Sequence, residues 1–256
     1  MGVHQRIDRV ARRRIVHHLP AVMNFPSIAD ILHFEGLNGP DGVKRKSPGT
    51  DEPWHFIDPT NPDDTALIDM ITEHIDNLAQ ALAADNMERA AFEAAWLAHA
   101  ITDGLTPAHH YPLEEKLSEL RGEDLSTRNS IARKLLASGR TPRQIISNNW
   151  QLWGNKGGMT THFGFELGVA TVISGTKITS APLASELLAR LHREGFTSYY
   201  LSLVQEVFAL NLYDEFHKKG WTPHLARSTK HRLLPIIEEA VTAGWYMAIQ
   251  KATDHS

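Results

Sequence analysis

The chain has no cysteine among its 256 residues. That absence excludes a disulfide framework, thiolate zinc sites, iron–sulfur clusters and thiol nucleophiles, and it leaves the compartment open. No apolar run approaches the eighteen residues of a membrane-crossing helix. A net charge of −4 provides no overall pull toward nucleic acid or an anionic membrane. Strand-like alternation is nearly missing, with only Trp54–Ile57 reading as extended, and there is no repeat or low-complexity tract. Hydrophobic residues at 42% and charged residues at 22% are ordinary for a globular protein, and the length suits one large domain.

What the chain has in excess is histidine. Fifteen occur, more than double ordinary usage. The basic amino terminus, Met1 to Phe25, is interrupted by Arg12–Arg14 and His17–His18, so it lacks the apolar stretch of a signal peptide. Arg6 stands where a myristoylation start needs Ser or Thr. The chain as written is therefore expected to be cytoplasmic, and secreted if its start codon is misplaced.

The dominant period is helical. Leu67, Met70, Ile71, Ile75, Leu78 and Leu82 form one helix face, preceded by Asp63, Asp64 and Thr65 as capping side chains. A second helix is expected from Met87 to Thr102, ended by Gly104 and Pro107. Further helices are expected over about 115–138, 141–153, 161–174, 182–219 with a break at Gly195, and 224–252. Residues from about 34 to 62 are rich in Gly, Pro, Asn and Asp and read as a long structured loop. These patterns predict an all-α fold in a single domain spanning 1–256.

Four short patterns carry chemistry. His99-x3-Asp103 and His162-x3-Glu166 each place an imidazole and a carboxylate one turn apart on a helix, where both can converge on one cation. Gly104 and Pro107 turn the chain after Asp103 and can bring His109 back toward the same place. The fourth pattern, Trp54-His55-Phe56-Ile57-Asp58-Pro59, lies in the long loop. Nitrogen and oxygen ligands without sulfur suit zinc, or manganese and iron in mixed sites. Singly, each pair also reads as a surface ion pair worth a few tenths of a kcal/mol.

Together, His99-x3-Asp103-x5-His109, His162-x3-Glu166 and the upstream His55-Phe56-Ile57-Asp58 resemble the zinc-dependent phospholipase C family, which shares its all-α fold with the fungal zinc single-strand nucleases. The resemblance runs from about residue 2 to 170. It implies three zinc ions, two of them bridged by Asp103. His55, His99 and Asp41 would complete one site of that pair, Asp41 being preferred to Asp51 for its separation from His55. His4 would serve the other, with His18 as the fallback. His109, His162 and Glu166 would hold the third ion. Phe56 and Asp58 fall at positions that edge the family's substrate.

Three features depart from the family. Its mature chain starts with a tryptophan whose amino group and carbonyl bind zinc; here Met1, or Gly2 after methionine removal, would have to supply those atoms. The family's enzymes are generally exported. The stretch between His109 and His162 is longer than the family's and implies a helical insertion over about 112–158, built largely from Glu114–Trp153. This insertion is basic at Arg128, Arg133, Lys134, Arg140 and Arg143, either as a solvated face or as a lip that meets phosphates. No basic amphipathic membrane anchor is apparent.

The implied chemistry is a metal-activated hydroxide attacking a phosphodiester, with Asp41 orienting or deprotonating the water. Glu166, where the nucleases have aspartate, and the lack of cysteine favour a phospholipid substrate. The alternatives are a single-strand-specific nuclease, which stacks bases on aromatic rings, and a non-catalytic metal-stabilised helical protein. His192 and His217 fall outside every pattern.

Overall fold

A computed structural model describes residues 2–111, 118–123, 125–175 and 181–254. The described residues are all-α, with no strand among them. The helices that matter here are α1 (Val3–Ile15), α2 (Ile28–His33), α3 (Pro40–Lys46), α4 (Ala66–Ala83), α5 (Met87–Gly104), α6 (Ile131–Leu135), α7 (Pro142–Trp153), α8 (Gly158–Ser174), α9 (Ser185–Ala209), α10 (Leu212–Lys219), α11 (Pro223–Ser228) and α12 (Leu234–Asp254).

Helix α5 is the axis of the fold. Its alanines, among them Ala90, Ala91, Ala94, Ala95, Ala98 and Ala100, are all buried, so it is enclosed on every side rather than along one stripe. Small side chains let α4 and α12 approach closely, and α1 and α2 cover what remains. Trp245 on α12 is fully buried and donates its indole N–H to the carbonyl of Ala94 at 2.9 Å, so its polar atom is satisfied inside the core. Tyr200 on α9 donates to the carbonyl of Ile101 at 3.2 Å. This packing places the C-terminal turn of α5, with His99 and Asp103, in the interior.

Several local expectations are corrected. The helix expected over 115–138 does not run through. Gly122 adopts φ +61, a left-handed conformation that ends a helix, and α6 restarts only after Ser130 caps it. Residues 112–117 and 124, part of the expected insertion, lie outside the described residues. The long loop contains α3, which begins with Pro40 at its first turn and carries Asp41. Thr65 does not cap α4; its hydroxyl donates to Asp69 of the first turn at 2.8 Å. The break at Gly195 is a kink inside α9, with φ +75, and the chain separates again between α9 and α10 at Asn211, φ +53. Residues 229–233 form one wide helical turn that splits the expected C-terminal helix into α11 and α12.

The insertion is tied to the body through a second small core. Phe56, Ala137 and Leu152 are buried together, with Trp54, Tyr111 and Met159 packed around them. Asn148 donates to the carbonyls of Leu120 and Ser138, each at 2.7 Å, and Lys134 pairs with Glu52 at 3.0 Å. The insertion therefore leans on the loop that carries His55 and Phe56.

Candidate metal centre

Three segments converge at the end of α5. The helix itself supplies His99 and Asp103, one turn apart and both buried. The chain then turns at Leu105 and Thr106, and a short turn of helix, Pro107–His110, brings His109 back. The His55 loop is held against that turn by two hydrogen bonds. The Ile57 amide donates to the His109 carbonyl at 3.1 Å, and His109 Nδ1–H donates to the His55 carbonyl at 2.7 Å. His110, next along, donates Nε2–H to the Gly104 carbonyl at 2.8 Å and locks the turn. Burial pushes its imidazole down to about 4, so it stays neutral.

Asp103 is the hub. Its Oδ2 accepts from His55 Nδ1 at 2.5 Å and lies 3.2 Å from His99 Nε2. Its Oδ1 faces the opposite way, 3.4 Å from His4 Nε2 and 3.9 Å from His109 Nε2. His4, in the first turn of α1, stacks on His99 with ring centroids 4.0 Å apart. Asp41 Oδ1 lies 3.9 Å from His99 Nε2, with its side chain more than half exposed at the solvent edge. On α8, His162 Nε2 and His109 Nε2 each lie 3.1 Å from Glu166 Oε1.

The ligand atoms thus form three groups: His4, His99 and Asp103; Asp41, His55 and His99; and His109, His162 and Glu166. All eight residues expected to hold metal fall in them. A tetrahedral ion with bonds of 2.0–2.2 Å holds its ligand atoms about 3.4 Å apart, and most of these separations bracket that value. The donor set, imidazole nitrogen and carboxylate oxygen without sulfur, fits zinc. Buried His55 Nε2 and His162 Nδ1 lack a hydrogen-bond partner, as do both ring nitrogens of His99. Those are atoms that a cation or its surroundings would satisfy.

The same contacts set the electrostatics of the cluster. Burial raises the Asp103 carboxyl, but the imidazoles of His109 and His99 outweigh it and hold the group well below the usual carboxylate range. Burial lowers His99, yet Asp103 and Glu35 push it well above 6.5; His109 is raised by Asp103 and Glu166 against the same burial. Burial raises Glu166, but His109 and His162 bring it well below its ordinary value. His55 goes the other way, down to about 4, because burial and the nearby Lys44 ammonium dominate. Around Asp103 and Glu166, carboxylates and the imidazoles of His99 and His109 thus favour one another's charged forms, while His55 is held neutral.

The remaining expected residues have more local roles. Phe56 is buried and stacks on His109 at 5.1 Å, so it forms a wall of the centre. Asp58 Oδ1 accepts from the Thr60 amide at 2.8 Å and the Thr60 hydroxyl at 2.7 Å, which closes its own turn. His18 Nε2 accepts from the Leu183 amide at 3.0 Å and belongs to none of the three groups, nor does Asp51. Met1, one candidate for the amino-terminal ligand, lies outside the described residues, while the Gly2 N–H donates to the Gln5 side chain at 3.4 Å. Arg128 and Lys134 of the basic insertion pair with Glu52.

Two acids escaped the sequence reading. Glu35 is buried with Oε2 3.5 Å from His99 Nδ1, the side of that ring turned away from Asp103. A carboxylate on that side raises the basicity of the ring as a ligand. Asp8 is also buried, with both oxygens unpartnered, and burial beside Glu35 raises its carboxyl well above the ordinary value. Glu35 has no local signature. Asp8 had one, since it follows His4 by four residues, the spacing seen at His99 and His162. Comparison with protein-family models, curated proteins and solved structures found no match to this chain.

Proposed function

We propose that the protein is a zinc-dependent phosphodiester hydrolase of phospholipase C type with a trinuclear centre. One observation carries the reading: the two oxygens of Asp103 have different histidine neighbours, His55 and His99 at Oδ2, and His4 with the more distant His109 at Oδ1. A carboxylate so placed suits a pair of ions better than one. His4 and Asp103 would hold one ion, Asp41, His55, His99 and Asp103 the second, and His109, His162 and Glu166 the third. Ions there would supply Lewis acidity and an acidified water at neutral pH.

The chain's own residues would do the rest. Asp41, at the exposed edge, is placed to receive a proton on Oδ1 from an attacking water. His109 Nδ1–H, tied to the His55 carbonyl, keeps Nε2 turned inward as the ligand atom. Glu35, 3.5 Å from His99 Nδ1, would raise the basicity of that ring as a ligand. Phe56 and the small core beneath the insertion exclude water from one flank. Glu166 and the family resemblance favour a phospholipid over single-stranded nucleic acid as substrate.

The test is metal analysis combined with two substrates. Three zinc ions per chain and hydrolysis of a choline phospholipid, with single-stranded DNA left intact, are expected. Cleavage of DNA alone would transfer the proposal to the nuclease reading. A fully loaded protein that cleaves neither would make the metal structural and end the catalytic proposal.

A further inference from the structure

The exposed apolar side chains of this protein are concentrated in one place. Among the described residues fourteen large hydrophobics are exposed, and nine of them lie between residues 131 and 167. On α7, Ile146, Trp150 and Trp153 follow each other at helical spacing, with Ile146 70% and Trp150 68% exposed. Trp153 joins them to the neighbouring helices. Its indole donates to the Leu135 carbonyl at 2.7 Å, and its ring stacks on Phe163 with centroids 6.0 Å apart. Phe163 and Leu167 form the outer side of α8, whose inner side carries His162 and Glu166. Contiguous apolar surface of this kind is rare on soluble proteins without a binding role.

The insertion beside it is basic, with Glu166 at its inner edge and Glu52 beneath it. From residue 125 to 165 there are six Lys and Arg and no Asp or Glu, leaving twenty basic against thirty acidic residues elsewhere. Arg128 and Lys134 turn to Glu52, while Arg133, Arg140, Arg143 and Lys156 are exposed. We propose that this outer face of the insertion and α8 docks on an anionic lipid bilayer. Tryptophans settle at the headgroup level, aliphatic side chains enter the acyl boundary, and arginines meet the phosphates. Docking of a second copy through the same face would bring like charges together. A nucleic acid would leave Ile146, Leu167 and the other aliphatics with nothing to contact.

The inference rests on exposure and charge, not on the hydrolase reading. Its test is co-sedimentation of the zinc-loaded full chain with two kinds of vesicle, pure phosphatidylcholine and the same lipid with about 30 mol% phosphatidylserine. Binding is expected to be at least about tenfold tighter on the anionic vesicles, to weaken with salt, and to shift tryptophan fluorescence to the blue. Ile146→Ser/Trp150→Ser should lower partitioning by at least about tenfold. Arg140→Gln and Arg143→Gln should each lower it about fivefold. All four side chains are exposed, so melting temperatures should not move. Absence of binding, or equal binding to both vesicles, overturns the proposal. So does a dimer that Trp150→Ser disperses, or binding of a single-stranded oligonucleotide with the vesicles left alone. Sedimentation reads association rather than turnover, so its failure leaves the metal-centre proposal standing.

Discussion

Replacing Asp103 by asparagine removes one charge and changes almost no volume, so no cavity forms. Four imidazoles lose their shared anion, at distances from 2.5 to 3.9 Å. The amide nitrogen that replaces one oxygen cannot accept a hydrogen bond or bind a cation. Both ions of the proposed pair lose a ligand at once, whereas His109, His162 and Glu166 keep their mutual geometry. Zinc content should therefore fall from three per chain to one, measured by elemental analysis after dialysis. At free zinc one hundred times Kd, each lost site removes about 2.7 kcal/mol of linked stability, so the melting temperature of the loaded protein should drop. Hydrolysis should fall at least about a thousandfold, equivalent to about 4 kcal/mol of transition-state stabilisation. His192→Ala and His217→Ala are the controls and should keep full activity; His192 bonds to Tyr246 at 2.8 Å and His217 is exposed. An Asp103→Asn protein that retains three ions or normal turnover would refute the shared-carboxylate reasoning.

Other outcomes follow from the same geometry. Glu166→Gln should leave the paired ions and remove the third, giving two zinc ions per chain. Glu35→Gln should weaken zinc binding about 10- to 100-fold while leaving the count at saturation unchanged; an unaltered affinity would show that the His99 ring needs no carboxylate behind it. Asp103 and Glu35 raise His99, and Asp103 and Glu166 raise His109, so zinc competes with protons at both rings. Calorimetry in buffers of different ionisation enthalpy should therefore report proton release on zinc binding, with affinity rising as pH rises. Zero release would contradict those shifts. Gly104→Ala would place its Cβ 2.1 Å from the Tyr200 hydroxyl and 2.6 Å from Leu67, so a loss of about 1–3 kcal/mol is expected in denaturant titration.

The sequence by itself determined the helices that are amphipathic or carry a clear stop. Periodicity located α4 and α5 to within a few residues, because each has a sustained apolar pattern and α5 also ends on a glycine. The i,i+4 pairs at His99 and His162 were legible for the same reason, since helix geometry alone brings such side chains together. The pattern expected as one helix over 115–138 contains its own break, since Gly122 takes a left-handed conformation and the Asp, Ser, Thr and Asn residues that follow favour turns and caps, ending in the Ser130 cap.

Only tertiary structure could bring His4, Asp41, His55, His99, His109 and Glu166 within ligand distance, because they are spread over more than 160 residues and six chain segments. Glu35 became visible only once α5 was buried and the far side of His99 needed a partner. The apolar patch has the same origin. Leu135, Trp153 and Phe163 belong to three different helices, none of which reads as an anchor alone, and packing joins them into one face. Local sequence fixes what lies one turn away along the chain. Which distant groups share a charge or a surface is settled by burial, through the requirement that polar atoms taken out of water find partners.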